Sequence, residues 1–291
     1  AVVTIACQVH LAQEAPHGRV ARSLGGFTAA VMTGAVCGTA IGAVLADRLG
    51  FRITYGLSAL LVLGIALLVW RQVAPGGGAG GGEPHVGLWR SARAAFAEPR
   101  FTLLVVLAAI PAKVLLGGFI FFLAPLQLQE LGLSQAAIGR NVMLYGFCMV
   151  PAIAAGAWIA DRSGRGELII AGAGVLNGIG LMLPMWLEPA LALPGAIIVT
   201  GIAQGLAAAP MLAIIPSISR AGAAPSSATM LSFLRLAERV GSVIGPPVTA
   251  SLLMLGGGQR TMLALGILSL VTALGYGLAL LVHRVRREDA A

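Results

Sequence analysis

The sequence predicts an all-α polytopic membrane protein, a helical bundle with about eight full transmembrane helices. Of its 291 residues, 58% are hydrophobic and only 10% are charged, whereas soluble domains carry about 25% charged residues. The apolar residues form long, almost uncharged stretches. A stretch of roughly 20 such residues crosses ~30 Å of hydrocarbon as a helix. Unbroken apolarity excludes barrel strands, in which apolar and polar residues would alternate.

The first elements precede a glycine-rich segment. The chain opens inside an apolar run without an initiator methionine, which we interpret as the stub of a helix cut partway through. Two spans are predicted at 24–46 and 53–70. Residues 75–84 have the composition of a flexible linker. Residues 85–100 combine apolar side chains with arginines, which favours a short helix lying in the membrane interface.

Six further spans are predicted at 101–127, 136–160, 168–186, 195–218, 228–255 and 262–282. We therefore divide the chain into the end of an N-terminal helical half (1–72), a cytoplasmic linker with its interfacial helix (73–100) and a C-terminal six-helix half (101–291). Most loop arginines then lie with the linker and the C-terminus, which the positive-inside rule assigns to the cytoplasm. We expect a monomeric, multi-pass protein of a cell membrane, specifically a bacterial inner membrane.

Several classes of function are excluded or disfavoured. The net charge of +8 comes from loop arginines without interleaved exposed aromatics, so we expect no nucleic acid partner. The histidines and cysteines are scattered without ligand spacing, so we expect no metal and no other cofactor. Neither a phosphate loop nor a nucleophile paired with histidine occurs, so the sequence predicts no catalytic residues and no enzyme.

Glycines recur at every fourth position in two spans. Gly34, Gly38 and Gly42 form one series, and Gly241 and Gly245 with Pro246 form the other. Such spacing lets two helices approach closely, because no side chain stands between their backbones. The two series also suggest an internal repeat, a construction known in secondary transporters. The alternative is that glycine is simply common, with 40 residues in the chain.

Lys113 is the only lysine in the chain. It lies ~18 Å into its span at ~1.5 Å per residue, close to the middle of the membrane. A charge at that depth costs roughly 2.5–3.5 kcal/mol unless protein or water surrounds it. The functional interpretation is a site for an anionic group or a proton-coupled carboxylate. The structural alternative is an ion pair inside the bundle.

Three charges share one face of a later span. Arg235, Glu238 and Arg239 are spaced i, i+3 and i+4, which places the carboxylate near both guanidinium groups. Arginine is suited to recognising a carboxylate or phosphate, with Glu238 orienting it or carrying a proton. The alternative is a closed network that only fixes helix packing.

Weaker candidates are polar residues in two other spans. Asn141 and Tyr145 are one turn apart, and Gln204 lies in a later span. Polar side chains at such positions more often form hydrogen bonds between helices than bind solute, so structure is favoured over function here.

A turn between two spans carries the most specific pattern. Residues 156–165 read Gly-Ala-Trp-Ile-Ala-Asp-Arg-Ser-Gly-Arg, which resembles the Asp-Arg-x-Gly-Arg loop signature of the major facilitator superfamily. A related version occupies residues 42–52. The glycine series is similar to the family's antiporter motif Gly-x-x-x-Gly-Pro, with Thr39 at the proline position of the first copy and Pro246 in the second.

The resemblance implies a fold and residue roles. It implies a major facilitator-type bundle in which the chain begins in helix four and ends with helix twelve. Asp161, Arg162, Gly164 and Arg165 would form a gating motif that latches the cytoplasmic side through charge pairs and a helix-end contact. A plain cytoplasmic turn is the alternative, and it explains the arginines but not Asp161 and Gly164.

The resulting functional hypothesis is a secondary active transporter. It would move a small, anionic or zwitterionic solute by alternating access, coupled to protons, with export suggested by the antiporter-like motif. Its partners would be the solute, the proton and the lipid bilayer. The alternative is a membrane sensor or anchor that has this fold without moving solute.

Overall fold

The computed structural model describes residues 7–8, 11, 20–72, 88–220 and 225–288. Helices account for almost all of them, with the bounds α1 Val20–Gln72, α2 Leu88–Ala97, α3 Pro99–Glu130, α4 Gln135–Ser163, α5 Gly166–Leu181, α6 Pro189–Arg220 and α7 Ser227–Glu288. A short 3-10 turn, Leu183–Met185, follows α5. The linker at 75–84 lies outside the described residues, so the proposed division of the chain stays a prediction.

The long segments α1 and α7 each consist of two helices that meet at one non-helical glycine. Gly50 has φ 78° and ψ 160° in α1, and Gly257 has φ 72° and ψ 176° in α7. This backbone region is almost restricted to glycine, because a Cβ would clash there. One such residue suffices to end one helix and let the next begin in a new direction. The spans are thus separated where the sequence predicts, but the expected loops at 47–52 and 256–261 are too long, since a single non-helical residue separates the two helices in each case.

Within the described residues, six helical segments are long and apolar enough to cross a membrane. The expectation of about eight full spans is not confirmed. One reason is that Ser227–Val282 counts as one segment of 56 residues, although Gly257 divides it into two helices. In α1, only Leu49–Leu68 meets the criterion. The all-helical, multi-pass architecture is confirmed.

Helix α3 is widened at two places. The segments Val105–Ala109 and Leu116–Leu123 have π-helical hydrogen bonding. Each contains the residue four before a proline, Pro111 or Pro125. Proline lacks an N–H and its ring crowds the carbonyl four residues earlier, and a wider turn relieves both effects. Lys113 lies between the two widened segments.

The bundle forms around α6 and α7. Helix α4 packs along α6, α5 lies against both α6 and α7, α3 packs on α7, and α1 contacts α4 and α6. One buried cluster joins α3, α6 and α7 and includes Phe101, Ile215 and Tyr276. The close contact between α4 and α6 depends on Gly156 and Gly205. A Cβ on Gly156 would lie 2.3 Å from the Leu206 carbonyl oxygen, and a Cβ on Gly205 would lie 2.5 Å from the Met149 carbonyl oxygen.

Apolar side chains cover much of the outer surface. Leu61 and Leu63 of α1 are 64% and 67% exposed, and Met254 of α7 is 90% exposed. In water such a surface would drive association, whereas in a bilayer it contacts lipid. Helix α2 confirms the predicted short helix before α3. It is held by Phe96, whose ring lies 5.6 Å from that of Phe101 and 6.2 Å from that of Phe233.

Candidate functional site

Glycines bring α3 and α7 into backbone contact. A Cβ on Gly241 would lie 2.8 Å from the Ile110 carbonyl oxygen and 3.1 Å from the Lys113 Cβ. A Cβ on Gly245 would lie 2.5 Å from the Val114 carbonyl oxygen. The second glycine series therefore packs α7 against α3 at the turn that carries Lys113. Lys113 lies roughly 21 Å from the start of α3 at ~1.5 Å per residue, near the helix centre.

The same contact places Lys113 beside Glu238. The Nζ of Lys113 lies 3.7 Å from Oε1 of Glu238, and a guanidinium nitrogen of Arg235 donates to Oε2 at 2.7 Å. Glu238 is only 8% exposed, so its charge needs these partners. At 3.7 Å Lys113 forms an ion pair without a direct hydrogen bond. We call Lys113, Arg235 and Glu238 the charged cluster.

The charged cluster carries a net positive charge when all three groups are ionised. The lysine is the looser partner, and its side chain is 23% exposed against 11% for Glu238. Arg239, predicted to share the face, is exposed and has no ion pair among the described residues. Because Arg239 is one residue after Glu238, its side chain points away from α3. Of the three charges predicted to share a face, only Arg235 and Glu238 are therefore in contact.

Two of the weaker candidates meet. The Tyr145 hydroxyl donates to the Gln204 Oε1 at 3.1 Å, and the Gln204 Nε2 donates to the Ala112 carbonyl oxygen at 3.2 Å. This link joins α4, α6 and α3 at the residue before Lys113. Asn141 does not join it, because its Nδ2 donates to the Ala137 carbonyl of its own helix at 2.9 Å.

The Asp161 carboxylate lies at the start of α1. Its Oδ1 accepts the N–H of Ala21 at 3.1 Å, and its Oδ2 accepts that of Arg22 at 2.9 Å. The first N–H groups of a helix have no partner within the helix, and the dipole there favours a negative charge. Asp161 therefore joins the end of α4 to the beginning of α1 across about 140 residues of sequence.

The rest of this turn ends α4. Gly164 adopts a left-handed conformation, φ 64° and ψ 8°, and donates its N–H to the Ala160 carbonyl. The Arg162 guanidinium lies over the Trp158 ring, 5.4 Å from its centroid. Arg165 is exposed. Among the described residues none of these arginines pairs with a carboxylate, and the gating role stays a prediction.

The first glycine series has no packing partner in the described structure. A Cβ on Gly34 or Gly38 would meet no atom within 4 Å. The surroundings of Gly42 lie outside what is described. Packing at these positions therefore stays a prediction.

Comparison with known proteins decides the family. Residues 114–291, more than half of the chain, match the family described as Major Facilitator Superfamily. The chain belongs to the major facilitator superfamily. It is accordingly a multi-pass membrane protein of a transporter family, as the loop signature at 156–165 implied. A comparison with curated proteins gave no significant match.

Two polar features of this major facilitator superfamily protein escaped sequence reasoning. Arg100 and Glu167 form an ion pair with N···O 2.5 Å at the beginnings of α3 and α5. Both residues lie at the beginning of a span on the predicted cytoplasmic side, and this shared position is the feature of the sequence that could have identified the pair. Asn177 is 3% exposed inside α5, and a single amide in an apolar span is the signal that could have identified it.

Proposed function

We propose that this protein is a secondary active transporter that moves a small anionic solute by alternating access, with protons as the coupling ion. The observation that carries the proposal is the charged cluster, two cations sharing one buried carboxylate near the centre of the bundle. An ionisable group at this depth is costly unless it serves binding or is fully paired. Here pairing is incomplete, because one carboxylate faces two cations.

Lys113 is the group best placed to meet a solute. Its ammonium is the looser of the two partners of Glu238, and it is a compact charge on a flexible stem. A carboxylate or phosphate on the solute would then replace a longer ion pair with a direct, charge-assisted hydrogen bond. Arg235 would hold Glu238 in place during this exchange.

Glu238 supplies the proposed coupling to protons. While ionised, it neutralises one of the two cations and competes with the solute for Lys113. Once protonated, it leaves both positive charges unmatched, so anion binding and proton binding favour each other. Because each ligand strengthens the binding of the other, a proton gradient directed into the cell can drive uptake of the anion. Export, suggested by the glycine motif, would need the reverse linkage and remains a prediction.

The experiment uses the purified protein in proteoliposomes. A panel of small carboxylates and phosphates, with neutral sugars and amines for comparison, is first screened by thermal stabilisation, because a ligand of the folded state raises its stability. The best anion is then used in uptake assays with Lys113→Ala. We expect a KM roughly 10- to 100-fold higher, the loss of one charged hydrogen bond.

Arg140→Ala is the matched control, since Arg140 is exposed and lies on the side of the membrane predicted to face away from the cytoplasm. It removes the same charge without touching the charged cluster and should leave KM unchanged. Anion transport that is unaltered by Lys113→Ala would overturn the proposed site. Stabilisation by neutral solutes alone would overturn the proposed substrate class.

A further inference from the structure

A small cavity lies inside the bundle, away from the charged cluster. It is lined by α3, α5, α6 and the part of α7 after Gly257, and has a volume of about 40 Å³. Alanine is the commonest residue of its walls, and polar side chains lie at Asn177, Gln204, Ser269, Thr272 and Tyr276. Neither Lys113 nor Glu238 lines it.

One polar atom of this wall is buried without a hydrogen bond from the described residues that would offset the cost of burial. The Oδ1 of Asn177 is buried and has no hydrogen-bond partner among the described residues. A buried acceptor without a partner is costly, so such groups in folded proteins usually have water or another group bound.

The hydroxyls of Ser269 and Thr272 can only accept hydrogen bonds from a guest. The Ser269 hydroxyl donates to the Gly174 carbonyl at 2.9 Å, and that of Thr272 to the Leu268 carbonyl at 2.8 Å. Their oxygens keep free lone pairs. Both ends of the Gln204 amide are already engaged with Tyr145 and Ala112. A guest must therefore donate protons to these oxygens, while the amide nitrogen of Asn177 and the hydroxyl of Tyr276 can donate to it, and water can do both.

The volume of the cavity and the charge of its lining restrict further which molecules can bind there. No described residue of the lining is charged, so a bare ion of either sign would lie unneutralised among apolar walls. A buried water needs roughly 10–15 Å³ and two or more polar partners. The cavity therefore has room for two or three waters, with Asn177, Ser269 and Thr272 as acceptors.

We propose that this cavity is a permanent internal water site of the C-terminal half, in which water donates to the Asn177 Oδ1 and links α5 to α7. The observation is independent of the transport proposal, because the site shares no residue with the charged cluster. Asn177 is thus a water-binding residue, and the site would be occupied whether or not a solute is present.

X-ray radiolytic labelling tests this site, since radicals formed from bound water oxidise adjacent side chains even where bulk solvent is excluded. Met211 and Tyr276 line the cavity and are 7% and 2% exposed. Met149 and Met230 are comparably buried, at 5% and 0%, and do not line it. We expect oxidation of the cavity pair several-fold above the control pair, measured by mass spectrometry of the protein in nanodiscs.

Asn177→Leu should reduce that labelling to the control level, and Ser269→Ala should reduce it partly. Asn141→Leu makes the same exchange on α4, outside the cavity, and should leave it unchanged. Cavity labelling no higher than the controls in the unaltered protein overturns the proposal without any variant. Labelling that persists unchanged in a folded Asn177→Leu protein also overturns it.

Discussion

The ammonium of Lys113 lies 3.7 Å from the carboxylate of Glu238, and a glycine on α7 makes that distance possible. Gly241 is one turn after Glu238, and a Cβ there would lie only 3.1 Å from the Lys113 Cβ, so the helices approach because no side chain stands between them. Packing and charge are therefore coupled in this protein. A change that separates α3 from α7 should also separate the charged cluster.

Gly245→Ala should destabilise the protein by about 1–3 kcal/mol, because the added methyl meets backbone atoms that cannot move aside easily. Its Cβ would lie 2.5 Å from the Val114 carbonyl oxygen. Thermal unfolding in detergent measures the effect. Gly172→Ala is the matched control, since a Cβ there meets nothing within 4 Å. Equal unfolding temperatures for the two variants would contradict the close contact.

Asp161→Ala should loosen the beginning of α1, since two backbone N–H groups lose a charged acceptor. A helix cap contributes about 1 kcal/mol, so amide hydrogen exchange at Ala21 and Arg22 should become roughly fivefold faster. Asp161→Asn keeps one acceptor oxygen and should give an intermediate value.

Ser134→Ala is the control for that measurement. Ser134 caps α4 by accepting the N–H of Ala137, so its loss should speed exchange there and leave the first turn of α1 alone. If Asp161→Ala leaves exchange at Ala21 and Arg22 unaltered, the helix-end contact does not hold α1.

Much of the charged cluster could be predicted from sequence. The depth of Lys113 follows from its place in an apolar span, and the i, i+3 spacing of Arg235 and Glu238 fixes their contact. The pairing of Lys113 with Glu238 could not be derived, because it depends on how α3 and α7 turn towards each other. The exposure of Arg239 depends on the same rotation.

The fold was predicted best where the pattern is local. Span positions follow from apolar runs, and Gly164 follows from turn chemistry. The breaks at Gly50 and Gly257 fall inside the connections expected at 47–52 and 256–261. Their length of one residue was not foreseen, because the polar residues around Gly50 and the glycines around Gly257 are typical of longer loops. The cavity beside Asn177 depends on four helices at once, and no local pattern encodes that.

The Tyr145–Gln204 hydrogen bond should contribute modestly. A double-mutant cycle of Tyr145→Phe and Gln204→Leu should give a coupling free energy of about 0.6 kcal/mol, which is typical of hydrogen bonds between membrane helices. Unfolding by denaturant in detergent measures it. A coupling of zero would mean that the two side chains do not interact in solution.

The ion pair of Arg100 and Glu167 should couple by about 1 kcal/mol or less, since both side chains are partly exposed. Arg100→Gln, Glu167→Gln and the double variant form the cycle. The coupling should fall as salt is raised, because ions screen accessible charges. Salt independence would indicate that the effect of either change comes from lost packing instead.

Proton coupling through Glu238 is the centre of the functional proposal, and Glu238→Gln tests it in proteoliposomes. The measurement compares anion accumulation driven by an imposed proton gradient with anion exchange at equal pH on both sides. We predict that the variant retains exchange and loses gradient-driven accumulation, because its amide cannot bind and release the proton. Accumulation equal to that of the unaltered protein would contradict the account.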